Sequence, residues 1–185
     1  MKNDGNGIAT LLQKLYFAIL PTSKMRTKYI NKYKAMFHHV GKDVFWQPRI
    51  LPADPEYISI GDNVKISSNV IFINHDIIHL MLNNDYSKEG QIKPYVGCIF
   101  IGNNVMIGTN VIILPNVKIG NNVIIAAGSI VTKDIPDNNV WGGIPASYIK
   151  DYKDIIEERK KIKISSENTI MEIWHDFYNR KFSII

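Results

Sequence analysis

The chain has 185 residues, 45% of them hydrophobic and 21% charged, with a formal charge of +5; this is the balance of one folded soluble domain with terminal appendages, not of a disordered chain. Its single cysteine, Cys98, excludes an intramolecular disulfide framework and a cysteine metal pair, and fits a reducing compartment, with the cytoplasm as the expected location. The basic balance does not call for a nucleic-acid partner, because Lys and Arg cluster in Lys24 to Lys34 and Arg159 to Lys163, as on solvated helix faces.

Ile8 to Leu20 is too short, and too interrupted by Gln13 and Lys14, for a signal peptide or a transmembrane helix. Residues 8–37 predict helix. An apolar run (Leu11, Leu12, Leu15, Phe17, Ile19, Leu20) stops at Pro21, and a basic amphipathic run continues from Thr22, with Met25, Tyr29, Tyr33 and Phe37 at helical spacing. Residues 1–39 are expected to cap the open end of the repeat region that begins at Val40, and their basic face allows a weak association with a membrane surface.

That region has a six-residue period. Val40, Trp46, Ile60, Ile66 and Phe72 head successive hexads, interrupted by the proline-containing piece Pro52 to Ser59. The phase is lost after His75, and residues 76–97, with Asn83, Asn84, Asp85, Ser87 and Gly90, read as a long excursion loop of the kind that is often functional. From Ile101 the period is cleanest, with Ile101, Ile107, Ile113, Ile119, Ile125 and Val131 heading each block and Asn or Gly filling the gaps. So short a repeat cannot bury a face alone and must stack as a solenoid, while the period excludes a regular amphipathic helix. Asp137 to Trp141 continues it loosely, Gly142 to Ala146 is a turn-rich exit, and Asp151 to about Lys163 and Glu167 to about Arg180 predict two helices. The expected organisation is thus 1–39 helical segment, 40–149 solenoid, and 150–185 helical extension.

Three features over residues 40–150 resemble one family, the hexapeptide-repeat acyltransferases, in the branch of the galactoside, maltose and streptogramin acetyltransferases and polysaccharide O-acetyltransferases. They are the hexad run, Phe72-Ile73-Asn74-His75-Asp76 at the entry to the excursion, and Ala127 to Pro136 leading to Gly143-Ile144-Pro145-Ala146. The resemblance implies an all-β solenoid, a left-handed parallel β-helix with three hexads per coil, contrary to the usual handedness of parallel connections. It also implies a homotrimer with active sites at subunit interfaces, acetyl-CoA as acyl donor and no required metal.

A sugar hydroxyl is a poor nucleophile until a base takes its proton, and histidine suits that task. His75, at the end of a hexad and the mouth of the excursion, is the best placed of the five histidines; His38, His39, His79 and His175 lie at the helix junction, in the loop or in the C-terminal helix. The resemblance assigns His75 as the base for direct attack on the thioester. It places Asn74 where it contacts acceptor or orients the site, with Asp76 as a substrate-side residue or a partner of His75. Adjacent residues on a strand point to opposite faces, which counts against that partnership. On the family pattern Gly108, Thr109, Ala126 and Ala127 match positions along the pantetheine arm, and Thr132 and Lys133 match the nucleotide end. Lys133 and Lys150 can neutralise phosphates, Lys150 as a point charge where relatives often have arginine. Trp141 and Pro145 either flank the adenine or, for Trp141, cap the final coil. Cys98 sits in an apolar run without a basic neighbour, which disfavours a covalent role.

The expected function is acetyl-CoA-dependent O-acetylation of a carbohydrate hydroxyl, in a capsule, exopolysaccharide or O-antigen precursor or a small saccharide. Xenobiotic O-acetylation and amino-sugar N-acetylation are alternatives with the same donor site. A zinc-dependent hydratase of the γ-carbonic-anhydrase type has only His75 and His79 to draw on in the relevant region, and a non-catalytic solenoid does not account for the Asn74-His75 pair.

Overall fold

The computed structural model describes residues 5–86, 90–162 and 167–179. Two helices open it, α1 (Gly5–Ile19) and α2 (Ser23–Lys32). Pro21 separates them, and the Thr22 hydroxyl accepts the Met25 N–H at 3.2 Å as the N-cap of α2. Helix α2 ends at Lys32, so Tyr33 and Phe37 lie on either side of a single 3₁₀ turn, Lys34–Met36, and not on one continuous helix. Phe37 is buried all the same, together with Phe17, Leu20, Tyr29 and Ile30. Arg26 locks this cap onto the solenoid: its buried guanidinium donates to the Leu20 carbonyl at 2.6 Å and the Gln47 carbonyl at 3.0 Å.

The solenoid begins with eleven short strands: β1 (His39–Val40), β2 (Phe45–Trp46), β3 (Ile58–Ile60), β4 (Lys65–Ile66), β5 (Ile71–Phe72), β6 (Ile99–Ile101), β7 (Val105–Ile107), β8 (Ile112–Ile113), β9 (Val117–Ile119), β10 (Val123–Ile125) and β11 (Ile130–Val131). They pair in parallel in three sheets, β1-β3-β6-β9, β2-β4-β7-β10 and β5-β8-β11. Ile99 stands opposite Val117, Val105 opposite Val123 and Ile112 opposite Ile130, so one coil takes three hexads. Ile60 instead faces Ile101, because the excursion lies between them. The hexad heads Ile101, Ile107, Ile113, Ile119, Ile125 and Val131 are all fully buried, each stabilising the fold by roughly 1.5–3 kcal/mol relative to an exposed side chain.

The coil turns its corners at the fourth hexad position. Asp43, Asn63, Asn69, Asn104, Asn110, Asn116, Asn122 and Asn138 all have φ between 53° and 63° there, and Gly128 has φ 74°. Asparagine tolerates the left-handed region better than other residues with a Cβ. Along one edge these carboxamides also bond to each other, Asn63 to Asn104 at 3.0 Å, Asn104 to Asn122 at 3.0 Å and Asn122 to Asn138 at 2.8 Å. One position earlier, Asn103, Asn121 and Asp137 each accept a backbone N–H of the preceding coil at 2.7–2.8 Å. These side chains satisfy corner groups that a sheet ladder cannot reach.

Two segments differ from their expected character. Residues 76–97 hold a helix, α3 (Ile78–Tyr86), and Asn83 ties it to the returning chain by donating to the Ile92 carbonyl at 2.9 Å and accepting the Ile92 N–H at 2.7 Å. Ser87, which the loop expectation included, lies outside the described residues. The exit at 142–146 holds the end of one strand, a turn at Ile144 and Pro145, and the start of the next: β12 (Asn139–Gly143) and β13 (Ala146–Asp151) form an antiparallel hairpin, and β12 continues the second sheet beside β10. The chain divides into two compact units at Tyr152 and Lys153. Helix α4 (Tyr152–Lys160) begins at that division, and α5 (Ile170–Asn179) lies in the second unit; the expected helix ends at Lys163 and Arg180 lie outside the described residues. A reciprocal capping box starts α5, with the Thr169 N–H donating to Glu172 at 2.8 Å and the Glu172 N–H to the Thr169 hydroxyl at 3.3 Å.

Candidate active site

The site grows from the point where the repeat breaks. Strand β5 still keeps the solenoid register, and the Ile73 N–H reaches the Ile113 carbonyl at 2.9 Å. The side chain of Asn74, 2% exposed, then donates to the Gly97 carbonyl at 3.2 Å, while the Gly97 N–H donates to the Asn74 carbonyl at 2.7 Å. Both ends of the excursion are thereby stapled together. Asn74 thus joins the two ends of the excursion at its neck, and its buried Oδ1 has no hydrogen-bond partner among the described residues. His75 is the next residue, paired with Val96 in an isolated antiparallel bridge, and its side chain is 40% exposed. Strand alternation turns it outward where Asn74 turns inward.

The imidazole has a partner that sequence reasoning did not identify. Nδ1 of His75 lies 2.6 Å from Oδ2 of Asp54, whose side chain is 32% exposed. A carboxylate only accepts, so Nδ1 carries the shared proton and Nε2 is left as the basic nitrogen. Asp54 belongs to the proline-containing piece between β2 and β3, just before a 3₁₀ turn at Pro55–Tyr57. Asp76 is occupied elsewhere: its Oδ1 accepts the Ile78 N–H at 3.0 Å at the start of α3. It starts a helix and does not pair with His75.

The residues expected along the donor fall on two edges of the solenoid. Gly108 and Thr109 come directly after β7, and Ala126 and Ala127 come after β10 one coil later on the same edge. Gly108 is buried, and a Cβ there would lie 2.5 Å from the Ala127 backbone nitrogen; close stacking of coils accounts for this glycine without a ligand. Thr109 and Ala127 are exposed, as is Gly128, where a Cβ would meet nothing within 4 Å. Thr132 and Lys133, both exposed, come after β11 on the other edge of the third sheet, the edge that also carries His75. Between the two edges Ile71, Ile112 and Ile130 stand in register on the outer face of that sheet, Ile71 half exposed.

Trp141 is 8% exposed and pairs beside Ile125 at the end of the solenoid. The Lys133 ammonium lies 5.5 Å from the centre of its ring. Pro145 is exposed at the hairpin turn, and Lys150 on β13 is partly buried opposite Val140.

Residues 99–133 match the model of the bacterial transferase hexapeptide family (six repeats). The chain is 41% identical over 118 residues to a galactoside O-acetyltransferase of Escherichia coli (strain K12), covering 63% of this chain and 55% of that protein. It is 49% identical over 98 residues to the protein CapG of Staphylococcus aureus, covering 53% of this chain and 55% of that protein. The chain thus spans about half the length of these two relatives. Among solved structures, a galactoside acetyltransferase in complex with coenzyme A superposes with a TM-score of 0.59 at 30% identity, over 86% of this chain and 85% of that one. The three-sheet solenoid is accordingly the left-handed β-helix of this fold. On repeat, neck and superposition together, the chain belongs to the hexapeptide-repeat acetyltransferases, in the branch of the galactoside O-acetyltransferases.

Proposed function

We propose that the protein transfers an acetyl group from acetyl-CoA to a hydroxyl of a carbohydrate acceptor, with His75 as general base. The observation that carries this reading is the 2.6 Å contact between His75 and Asp54 at the mouth of the excursion. Nε2 takes the proton of the acceptor hydroxyl as its oxygen attacks the thioester carbonyl. Asp54 holds the imidazole in the required tautomer and offsets the positive charge that develops on it. Collapse of the tetrahedral intermediate breaks the C–S bond, the proton on His75 goes to the departing sulfur, and the products are an acetyl ester and free CoA. No acyl-enzyme forms. In this reading Asn74 is a positioning residue that keeps the neck closed behind His75, and Asp76 acts through α3.

Acetyl-CoA is a substrate here, and the exposed small residues Thr109, Ala127 and Gly128 offer it an edge where backbone groups are reachable, with Thr132 and the cations Lys133 and Lys150 for its phosphates. Thr109, Ala127 and Gly128 on one side and Thr132 and Lys133 on the other flank the third sheet and do not form one patch, and that sheet is apolar on its outer face at Ile71, Ile112 and Ile130. Both facts support assembly of three copies through such faces, with each donor groove lined by one edge from each of two neighbours. A carbohydrate acceptor is supported by the galactoside O-acetyltransferase that the chain is similar to. The test is a panel of mono- and oligosaccharides incubated with acetyl-CoA, reading thiol release and product mass, with light scattering for the assembly. A saccharide that gains the mass of one acetyl group, in proportion to thiol released by a trimer, is expected. Thiol release with no saccharide on the panel, or only with amine or xenobiotic acceptors, overturns the carbohydrate assignment, and a monomer active at the same rate overturns the shared groove.

A further inference from the structure

We propose that the N-terminal cap docks this protein on the surface of an anionic lipid bilayer. Charge along the chain is segregated. Residues 1–42 hold eight of the 22 Lys and Arg but one of the 17 Asp and Glu, so the remainder of the chain is slightly acidic and the cap accounts for the whole positive balance. Between Gly5 and Lys42 there is no acidic residue.

The cations are arranged as well as concentrated. Lys24, Lys28 and Lys32 recur every four residues along α2, and all three are exposed, so they form one stripe. One residue further round the helix run Met25, Tyr29 and Tyr33. With Tyr16 of α1 and Leu20 just beyond it, these residues line a groove of about 320 Å³ that also has Lys28 and Lys32 in its wall. Tyr29 is 7% exposed, yet its hydroxyl has no hydrogen-bond partner among the described residues. Burial pushes its pKa up, so the phenol stays protonated and remains a donor lacking an acceptor. Beside the groove, α1 exposes Leu12, Leu15, Tyr16 and Ile19 by 55–74%. Arg26 is not part of this surface, since its guanidinium is buried and committed to two carbonyls.

A stripe of one charge sign next to a row of large apolar side chains is the arrangement of a helix that lies in a membrane interface. There the lysines meet lipid phosphates, and the apolar row enters the acyl boundary. A polyanion such as nucleic acid would use the lysines and leave Leu12, Leu15 and Ile19 exposed. No helix among the described residues is long and apolar enough to cross a membrane, so the cap lies on the surface and does not span it. This surface is remote in sequence from His75, and the contact of α1 nearest the transfer chemistry is Lys14 donating to the Ala53 carbonyl, next to Asp54, at 3.4 Å.

The test sediments the full-length protein with vesicles of phosphatidylcholine alone or with one third phosphatidylglycerol, at physiological and at high salt. Binding is expected to the anionic vesicles only. The variant Lys24→Glu/Lys28→Glu/Lys32→Glu should bind at least about 100-fold more weakly, from about fivefold per lysine lost and a further loss for each glutamate set against the anionic surface. Leu15→Ser/Ile19→Ser should weaken binding at both salt concentrations. Unchanged thermal unfolding and thiol release in these variants establish that they are folded, independently of vesicle binding. Equal binding to both vesicle types, no binding to either, or full binding by the lysine variant would overturn the proposal. So would binding to duplex DNA that the Leu15→Ser/Ile19→Ser variant retains together with full vesicle binding.

Discussion

Asp54→Asn separates catalysis from stability. The His75–Asp54 pair is 40% and 32% exposed, and an ion pair in that setting contributes at most about 1 kcal/mol to folding. Thermal unfolding should therefore be almost unchanged. In the transition state the imidazole becomes a cation, and the 2.6 Å contact becomes a charge-assisted hydrogen bond worth roughly 1.5–3 kcal/mol. Asparagine can still accept from Nδ1 but brings no charge, so kcat should fall by about 10- to 150-fold. The KM for acetyl-CoA should stay within about twofold, because Asp54 acts through His75 and not on the donor. The assay is steady-state thiol release over a range of both substrates, repeated in a His75→Ala background. There Asp54→Asn should cost nothing further, since a positioning residue has no effect once its imidazole is gone. An unchanged kcat, or an equal further loss in the His75→Ala background, would rule out an action of Asp54 through His75.

Three further outcomes are expected from the scaffold and its acid sensitivity. Ile119 is fully buried in β9, so Ile119→Ala should cost about 2–5 kcal/mol by transfer and cavity, measured as a shift in the midpoint of chemical denaturation. Asn104, at φ 56° and between two ladder partners, should cost roughly 1–2 kcal/mol as Ala, part of it from placing a Cβ-bearing residue without a compensating side chain in the left-handed region. Asn104→Gly should cost less than Asn104→Ala in the same measurement. The carboxyl of Asp137 is held below its ordinary pKa, first by the Asn121 backbone N–H and then by the Asn121 side chain. A depressed folded pKa gives stability that is complete above the unfolded value and is lost as pH falls through the folded one. Asp137→Asn should therefore be less stable than the parent at neutral pH, and the difference should narrow below the normal carboxylate range in a pH series of denaturation midpoints.

The solenoid was legible because one rule repeats. An apolar head every six residues needs a flat rung, and an Asn four positions into the hexad needs a corner with positive φ; Asn104, Asn110, Asn116 and Asn122 all meet that need. His75 was legible as the residue where the rule stops. Asp54 was not, since it lies in the one stretch between β2 and β3 that keeps no hexad, and only the stacking of one coil on the next brings it to an imidazole 21 residues later. Asp76 drew attention because it is adjacent in sequence, but adjacency on an extended chain turns a side chain away, and the first free N–H of α3 engages it instead. Helix α3 itself was hidden by Asn83, Asn84 and Asp85, which read as loop residues, although Asn83 serves as the tie to Ile92. The residues proposed along the donor stand out by motif alone, while their division between two edges depends on where each corner falls around the coil.

His75→Ala is the most direct test of general-base catalysis by this residue, with thiol release from acetyl-CoA measured in the presence of the saccharide that the parent protein acetylates. Loss of a positioned general base predicts a fall in kcat of about 10²- to 10⁴-fold, with coenzyme A binding and the unfolding midpoint retained. Turnover within a few-fold of the parent would contradict a catalytic role for His75 and, with it, the mechanism built on its contact with Asp54.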